Sequence, residues 1–237
     1  MITRKLHSLP RLLKNVAARS GAVSRRRKRV ITAFAEKIGF VYLGHVDQHK
    51  DNHHIIRGLT VSTDHQDDNY CVGSFDGYDI SLVDRLDVYT DALGRNQTHR
   101  WIIAEIALQQ PRDIPHMFLG SHQSKQDAYQ KLFTAFSTLS AVPLGTFEPY
   151  AAEFTHRYGL FAAPSHFIEA ERYIDAATSR ILAAHFWPMA IEVYQGSLYI
   201  YSNSQVVSSH LLDTMLKNGL WLAKHLDEHD TETKLVQ

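Results

Sequence analysis

Five consecutive basic residues form the stretch with the clearest capacity for chemistry. They are Arg25, Arg26, Arg27, Lys28 and Arg29. Side chains of this kind neutralise phosphates without reading a nucleotide sequence, and added salt weakens the attraction. The same charges would serve an anionic membrane surface, at about 1 kcal/mol for each basic side chain near it. The run predicts anion binding to lipid or nucleic acid, or else a helix face that is merely solvated.

The run belongs to a predicted basic helical arm, residues 1–38. Its first part carries leucines and a valine at helical spacing, with basic residues between them, as in an amphipathic helix: Leu6, Leu9, Leu12, Leu13 and Val16. Residues 20–22 predict a break, and Ser24 would cap a second helix whose apolar stripe packs on the domain. Gly39 would end that helix. Because the leucines could enter a bilayer interface, they favour lipid over nucleic acid.

Charge is distributed unevenly along the chain. The 237 residues have a formal net charge of zero, yet residues 1–40 hold eleven Lys or Arg and one acid. The remainder holds fourteen basic and twenty-four acidic residues. A basic segment ahead of an acidic body predicts an arm that seeks anions or docks on its own domain. The Arg-rich, acid-poor composition of this segment is also typical of organelle transit peptides.

A histidine tract is the sharpest local pattern outside the arm. It contains His45, His49, His53 and His54, interspersed with acids. Imidazole and carboxylate groups are competent zinc ligands. The tract lies between two strand-like runs, however, and lacks the helical HExxH arrangement of zinc proteases. We therefore expect a solvated loop and predict no metal site.

Asp84 falls on the apolar face of a predicted strand, residues 78–89. A buried carboxylate needs a partner, and His99 or Arg100 on the following strand could supply one. The arrangement predicts either an acid–base or anion site or a structural ion pair, and we favour the ion pair. If Asp84 is buried and paired, Asp84→Asn should change thermal stability.

The remaining chemistry-bearing residues indicate no enzyme class. The sequence contains no GxGxxG, GxxxxGK[ST] or GxSxG motif, so we predict no catalytic residue and no cofactor. Cys71 is the single cysteine; it is expected in the core, and the chain in a reducing cytoplasm. No run of eighteen apolar residues exists, so we expect no membrane span. An aromatic set could line a groove but is better explained by core packing: Trp187, Tyr194, Tyr199, Tyr201 and Trp221.

The elements that must position these residues alternate in type along the chain. Periodicity predicts strands at 40–43, 55–56, 59–62, 70–72, 78–89, 99–108 and 114–119, with 64–69 as a loop. It predicts helices at 125–139, 166–184 and 206–226. A hairpin at 190–194 and 197–201 turns at Gln195 and Gly196. These patterns predict an α+β fold, with an antiparallel sheet of about six to eight strands and three packed helices behind the basic arm. The expected division is 1–38 arm, 39–230 domain and 231–237 polar tail.

Several local motifs resemble those of a known bacterial family. They are residues 77–84 (GYDISLVD), 94–101 (GRNQTHRW), 114–118 (IPHMF), 147–154 (FEPYAAEF) and 191–201 (IEVYQGSLYIY). Their order resembles an uncharacterised family that is common in candidate-phyla (Saccharibacteria-like) genomes. The resemblance implies a shared fold and carries over no site residue.

The function predicted from the sequence is that of a non-enzymatic binding or scaffold domain. Its basic arm, residues 1–38, would tether it to an anionic membrane surface or to a partner, which would make it cytoplasmic and peripheral to the membrane. Two alternatives stay open. One is a nucleic-acid-associated protein that uses the Arg25 to Arg29 run, and the other is a metal-binding or hydrolytic enzyme with an unfamiliar site.

Overall fold

A computed structural model describes residues 9–45, 64–90, 93–110, 114–122, 138–203 and 206–235. The strands in chain order are β1 (Val41–Gly44), β2 (Asp64–Phe75), β3 (Tyr78–Thr90), β4 (Asn96–Ala107), β5 (Met117–Ser121), β6 (Ser140–Ala141), β7 (Tyr158–Ala162), β8 (Ala190–Tyr194) and β9 (Ser197–Ser202). The helices are α1 (Leu9–Ile38), α2 (Ala152–Arg157), α3 (Phe167–Tyr173), α4 (Ala176–Ile181) and α5 (Ser209–Leu235).

One antiparallel sheet organises the protein. Its strand order is β1-β2-β3-β4-β9-β8-β5-β7-β6, and every neighbouring pair is antiparallel. The predicted α+β class with an antiparallel sheet is confirmed, with nine strands in the described ranges instead of six to eight. The β8–β9 hairpin lies in the middle of the sheet although it comes late in the sequence.

Alternation along the strands gives the sheet two different faces. On the first face, α1 and α5 cover apolar side chains such as Leu82, Ile102 and Ile200. The second face buries a smaller cluster that includes Trp101 and Tyr201. Since both faces of the central strands are buried, a charged side chain on either face needs a partner there.

Two of the hairpin turns follow from the types of their residues. Gln195 and Gly196 join β8 to β9 with φ of +48° and +80°, and Asp76 and Gly77 join β2 to β3 with +53° and +83°. Positive φ at both central residues matches the right-handed twist of the flanking strands. Glycine meets this requirement at the second position without a steric cost.

The predicted loop at 64–69 is wrong, because these residues are the first half of β2. They pair with β3 from Asp64, opposite Val88, to Asp68, opposite Asp84. The polar composition of this stretch is typical of a loop. Cross-strand pairing and the Asp67–Arg85 ion pair outweigh that local tendency.

The predicted break at 20–22 is also wrong, because α1 is continuous from Leu9 to Ile38. A single glycine inside a helix costs only about 1 kcal/mol relative to alanine. That cost is small beside the tertiary packing of the C-terminal half of α1, where Ile31 and Ala35 are fully buried. The helix and its basic run are therefore one element.

Other helix boundaries differ from the prediction. The helix predicted at 166–184 is divided into α3, α4 and the π-helical turn Leu182–Phe186. Asp175 begins α4, where its side chain accepts a hydrogen bond from the Thr178 backbone N–H at 2.7 Å. The last helix starts at Ser209 and extends to Leu235, into the expected tail. The strands predicted at 55–56 and 59–62, and nearly all of the helix at 125–139, lie outside the described residues.

Candidate anion-binding surface

The C-terminal end of α1 is fixed to the sheet by a glycine turn. Gly39 has φ of +79°, and the Phe40 N–H donates to the Ala35 carbonyl at 2.8 Å. This is the six-to-one hydrogen bond of a Schellman motif. Phe40 then lies against Gly73 of β2, where a Cβ atom would come within 2.4 Å of the phenyl ring. The turn thereby sets the position of α1 relative to β2.

A buried ion pair fixes the helix further along. Arg27 donates from Nε to Asp84 Oδ2 at 2.8 Å and from Nη2 to Asp84 Oδ1 at 2.7 Å. Both side chains are out of solvent, at 3% and 0% exposure. Parallel hydrogen bonds between a guanidinium and a carboxylate are the most directional form of such a pair. Asp84 of β3 therefore positions α1 across the sheet.

Asp84 also receives bonds from two other strands. Asn69 donates from Nδ2 to Oδ2 at 3.2 Å, and Arg100 Nη1 donates to the same oxygen at 3.4 Å. Asn69 lies at a β-bulge with φ of +53°, and the bulge re-aims its amide toward the carboxylate. We call Arg27, Asn69, Asp84 and Arg100 the Asp84 cluster.

The structure gives the five predicted anion-binding residues two different environments. Arg27 is buried and is used inside the protein by Asp84. Arg25, Arg26, Lys28 and Arg29 are exposed, and we call these four the basic face of α1. Lys28 Nζ lies 5.9 Å from the centroid of the Tyr42 ring on β1. The basic run thus contains one buried arginine that holds α1 to β3 and four charged side chains on the outside of the helix.

The expected partners of Asp84 are only partly found. Arg100 joins the cluster. His99 lies on the opposite face of β4 and packs against Trp101, with ring centroids 4.0 Å apart. Burial lowers the pKa of His99, and the charge of Asp87 opposes this shift. An acid–base site that combines Asp84 with His99 is therefore contradicted, and the structural ion pair is confirmed.

Little of the histidine tract lies in the described part of the chain. His45 Nδ1 is 3.0 Å from Asp68 Oδ1, and both groups are partly exposed. His49, His53 and His54 lie outside the described ranges. Among the residues the structure describes, no group of three His, Cys, Asp or Glu side chains could hold a metal.

The second face of the sheet contains further buried polar pairs. Arg85 donates to both carboxylate oxygens of Asp67 at 2.8 Å, and Trp101 Nε1 donates to Asp87 at 2.9 Å. Buried carboxylates of this kind need hydrogen-bond or charge partners. Each has an internal structural partner.

Glu192 extends this set of internal pairs. The Tyr201 hydroxyl donates to Glu192 Oε2 at 2.6 Å, and His116 Nε2 lies 2.8 Å from Oε1. Burial and the neighbouring carboxylate raise the pKa of Tyr201 well above its ordinary value. Tyr201 is therefore a protonated donor that satisfies a buried acid.

A shallow groove of about 420 Å³ opens on the second face. All of its lining residues come from β2, β3 and β4, among them Val72, Ser74, Asp79, Ser81, Glu105 and Ala107. Glu105 accepts hydrogen bonds from the hydroxyl groups of Ser197 and Tyr199. Ser74 donates to Asp79. The groove combines carboxylates with hydroxyls and short apolar side chains.

Cys71 and most of the aromatic set are core residues. Cys71 is fully buried, and burial raises the pKa of its thiol to about 12. Tyr199 and Tyr201 are buried in the second cluster. Trp221 packs partly buried against the main core, whereas Trp187 is 39% exposed. Core packing accounts for these residues better than a shared aromatic groove.

The described helices include none that is both long and apolar enough to cross a bilayer.

Comparison with known proteins identifies a similar fold and no family. No protein-family model matches the chain, and no curated protein sequence matches it. A solved structure with a similar fold is that of the mycobacterial trehalose monomycolate transport factor A, TtfA. The TM-score is 0.53 at 11% sequence identity, and the alignment covers 86% of this chain and 94% of that one. At this identity the likeness shows a shared fold.

Proposed function

We propose that this protein is a non-enzymatic binding domain that attaches to an anionic membrane surface through the basic face of α1. The observation that carries the proposal is that one residue of the basic run is buried while its four neighbours are exposed. Arg27 pairs with buried Asp84. Arg25 and Arg29 lie roughly 160° to 200° around the helix from Arg27, at about 100° per residue. They therefore face away from the sheet on an element whose position is fixed.

Electrostatics gives the expected strength of attachment. Four basic side chains at about 1 kcal/mol each would contribute about 4 kcal/mol near an anionic leaflet. That corresponds to roughly a thousandfold gain in partition, at 1.4 kcal/mol per factor of ten. Because the net charge of the chain is zero, the gain would come from where the charges lie. The leucines in the sequence of α1 would add a contribution that salt does not screen.

The structural neighbour supports a binding role by analogy. TtfA is called a transport factor, a name that denotes no catalysed reaction. Folds host many functions, so this support is associational. The geometry of α1 remains the argument for a surface contact.

The test is co-sedimentation with vesicles of phosphatidylserine and phosphatidylcholine across a salt series. One variant replaces Arg25, Arg26, Lys28 and Arg29 by Gln. A matched control replaces four exposed basic residues elsewhere by Gln: Arg95, Arg172, Arg180 and Lys217. We expect the first variant to lose most of the binding at low salt and the control to keep most of it, while both unfold at the wild-type temperature.

Two results would overturn the proposal. Equal losses in both variants would show that overall charge, and not the basic face, governs binding. Binding to duplex DNA without binding to vesicles, abolished by the first variant alone, would make the protein nucleic-acid-associated instead.

A further inference from the structure

We propose that Arg100 binds a phosphate group beside α1, so that the surface contact recognises phosphorylated headgroups and is more than a general attraction between charges. The inference rests on the proposed function for its membrane context. Its structural basis is the charge balance and the hydrogen-bond geometry of the Asp84 cluster.

The cluster holds one carboxylate between two guanidinium groups. Arg27 contacts both oxygens of Asp84 at 2.7 and 2.8 Å, and Asn69 adds a third donor. Arg100 reaches Oδ2 only at 3.4 Å, the longest of the four bonds. Arg27 alone balances the charge of Asp84. The cluster therefore has an excess positive charge, and that charge lies on Arg100.

Most N–H donors of Arg100 have no partner among the described residues and are open to solvent. Its side chain is 25% exposed, and within the described residues the long bond to Asp84 is the one hydrogen bond of its guanidinium. A guanidinium presents five N–H donors in a planar fork. None of the Arg100 nitrogens is among the buried atoms without a partner in the described residues, so the remaining donors reach solvent. An anion with two or more oxygens could accept the remaining donors, and phosphate fits the fork in a bidentate manner.

The placement of Arg100 gives access from the side of the helix. Arg100 is opposite Leu86 on β3, two residue pairs further from the β2–β3 turn than Asp84 and Ile102. It shares the face that α1 covers, and its guanidinium contacts the same oxygen atom as Arg27. A phosphate on Arg100 would therefore lie near the basic run, where further positive charge favours it.

Phosphate chemistry can come from a lipid headgroup or from a soluble phosphorylated compound. The experiment compares vesicles that contain phosphatidic acid, a phosphomonoester, with phosphatidylserine vesicles of matched surface charge. The proteins are the wild type, Arg100→Gln, Arg100→Lys and the control Arg180→Gln, which removes an exposed charge from α4. Soluble pyrophosphate serves as competitor and, separately, as a ligand in thermal unfolding against chloride at equal ionic strength.

We expect the wild type and Arg180→Gln to prefer phosphatidic acid by about tenfold, the effect of one charge-assisted hydrogen-bonded pair. Arg100→Gln should remove this preference and keep its binding to phosphatidylserine. Arg100→Lys should keep part of the preference, because a lysine retains the charge and lacks the fork. Pyrophosphate should raise the unfolding temperature of the wild type more than that of Arg100→Gln.

The outcomes separate the two proposals. An unchanged preference in Arg100→Gln, with an unchanged response to pyrophosphate, overturns the role of Arg100 and leaves the basic face standing. If the wild type binds neither kind of vesicle, the membrane proposal fails. A response to pyrophosphate that depends on Arg100 would then assign the site to a soluble phosphorylated ligand. A merely structural Arg100 would change the unfolding temperature equally in pyrophosphate and in chloride.

Discussion

Asp84 shows how one buried carboxylate decides the position of a helix fifty-seven residues away in sequence. The pair is not simply a source of stability, because removing two charges from water offsets much of their attraction. Its larger effect is on specificity. A helix that slides along the sheet would leave a buried charge without its partner, so the ion pair selects one position of α1.

We predict that Asp84→Asn destabilises the protein by about 3–5 kcal/mol, because it leaves the buried Arg27 charge without a counterion. Urea unfolding gives the free energy. Asp79→Asn is the matched control, since Asp79 is an exposed residue of the same strand, and its effect should stay within about 0.5 kcal/mol. The double variant Arg27→Met with Asp84→Leu should recover most of the loss. An Asp84→Asn protein as stable as the wild type would contradict the buried ion pair.

Cys71 gives a second prediction at this scale. Burial raises the pKa of its thiol to about 12, and the thiolate is the form that reacts with alkylating agents. We expect iodoacetamide at pH 8 to label native protein only as fast as the protein unfolds. Labelling in urea provides the reference rate. Rapid labelling of the native protein would show that β2 opens locally around Cys71.

The sequence predicts some of these residues and not others, for physical reasons. Burial of Asp84 follows from strand alternation, which is local. Arg27 also falls on the apolar stripe of α1, at helical spacing from Ile31 and Phe34, which are both buried. An arginine on one apolar stripe and an aspartate on another indicate that the two side chains could form a buried ion pair. Their pairing depends on where the helix docks, and no local pattern specifies docking.

At the scale of elements, α5 lies unusually close to the sheet at Gly219. A Cβ atom there would come within 2.6 Å of Ile106 Cδ1 and 2.8 Å of Ile200 Cδ1. Glycine inside a helix normally lowers stability relative to alanine. Here its missing side chain permits the helix to approach β4 and β9.

Gly219→Ala should therefore destabilise the protein by about 1–3 kcal/mol, the typical cost of overpacking a core. The gain of about 1 kcal/mol expected from helix propensity would be outweighed. Chemical denaturation measures the difference, and Lys217→Ala on the exposed side of α5 is the control. An increase in stability would mean that the two isoleucines move aside at little cost.

Elements with local signals were predictable, and those specified by distant partners were not. The β8–β9 hairpin follows from its alternation and its Gln195–Gly196 turn. The polar composition of the first half of β2 predicts a loop. The partners that stabilise it as a strand, such as Arg85, lie on another strand. The basic run was recognisable at once, whereas the separate role of Arg27 within it depends on tertiary contacts.

For the whole molecule, the buried thiol and the buried phenols make the free energy of unfolding depend on pH in the alkaline range. Burial is the first cause of raised pKa values for Cys71, Tyr78, Tyr150, Tyr199 and Tyr201. A raised pKa in the folded state means that the unfolded chain releases these protons first. The stabilising contribution is complete below the unfolded pKa values, near 9 for the thiol and 10 for the phenols, and is lost as pH rises above them.

We accordingly predict that the free energy of unfolding is steady up to about pH 9 and falls steeply above it. Urea unfolding at pH 7.5, 9 and 10.5 measures the slope. In Cys71→Ala the fall should begin about one pH unit later, at the ordinary tyrosine pKa. A free energy that is constant through pH 10.5 would show that these groups also ionise in the folded state.

The strand order has a consequence for how the chain reaches this fold during translation. β4 and β5 both border the β8–β9 hairpin, which emerges from the ribosome after all the other strands. Until it arrives, the nascent chain carries two sheet fragments, each with an unpaired edge that can recruit another chain. A polypeptide that stops before residue 190 would therefore be prone to aggregation and dependent on chaperones, although it contains seven of the nine strands of the described fold.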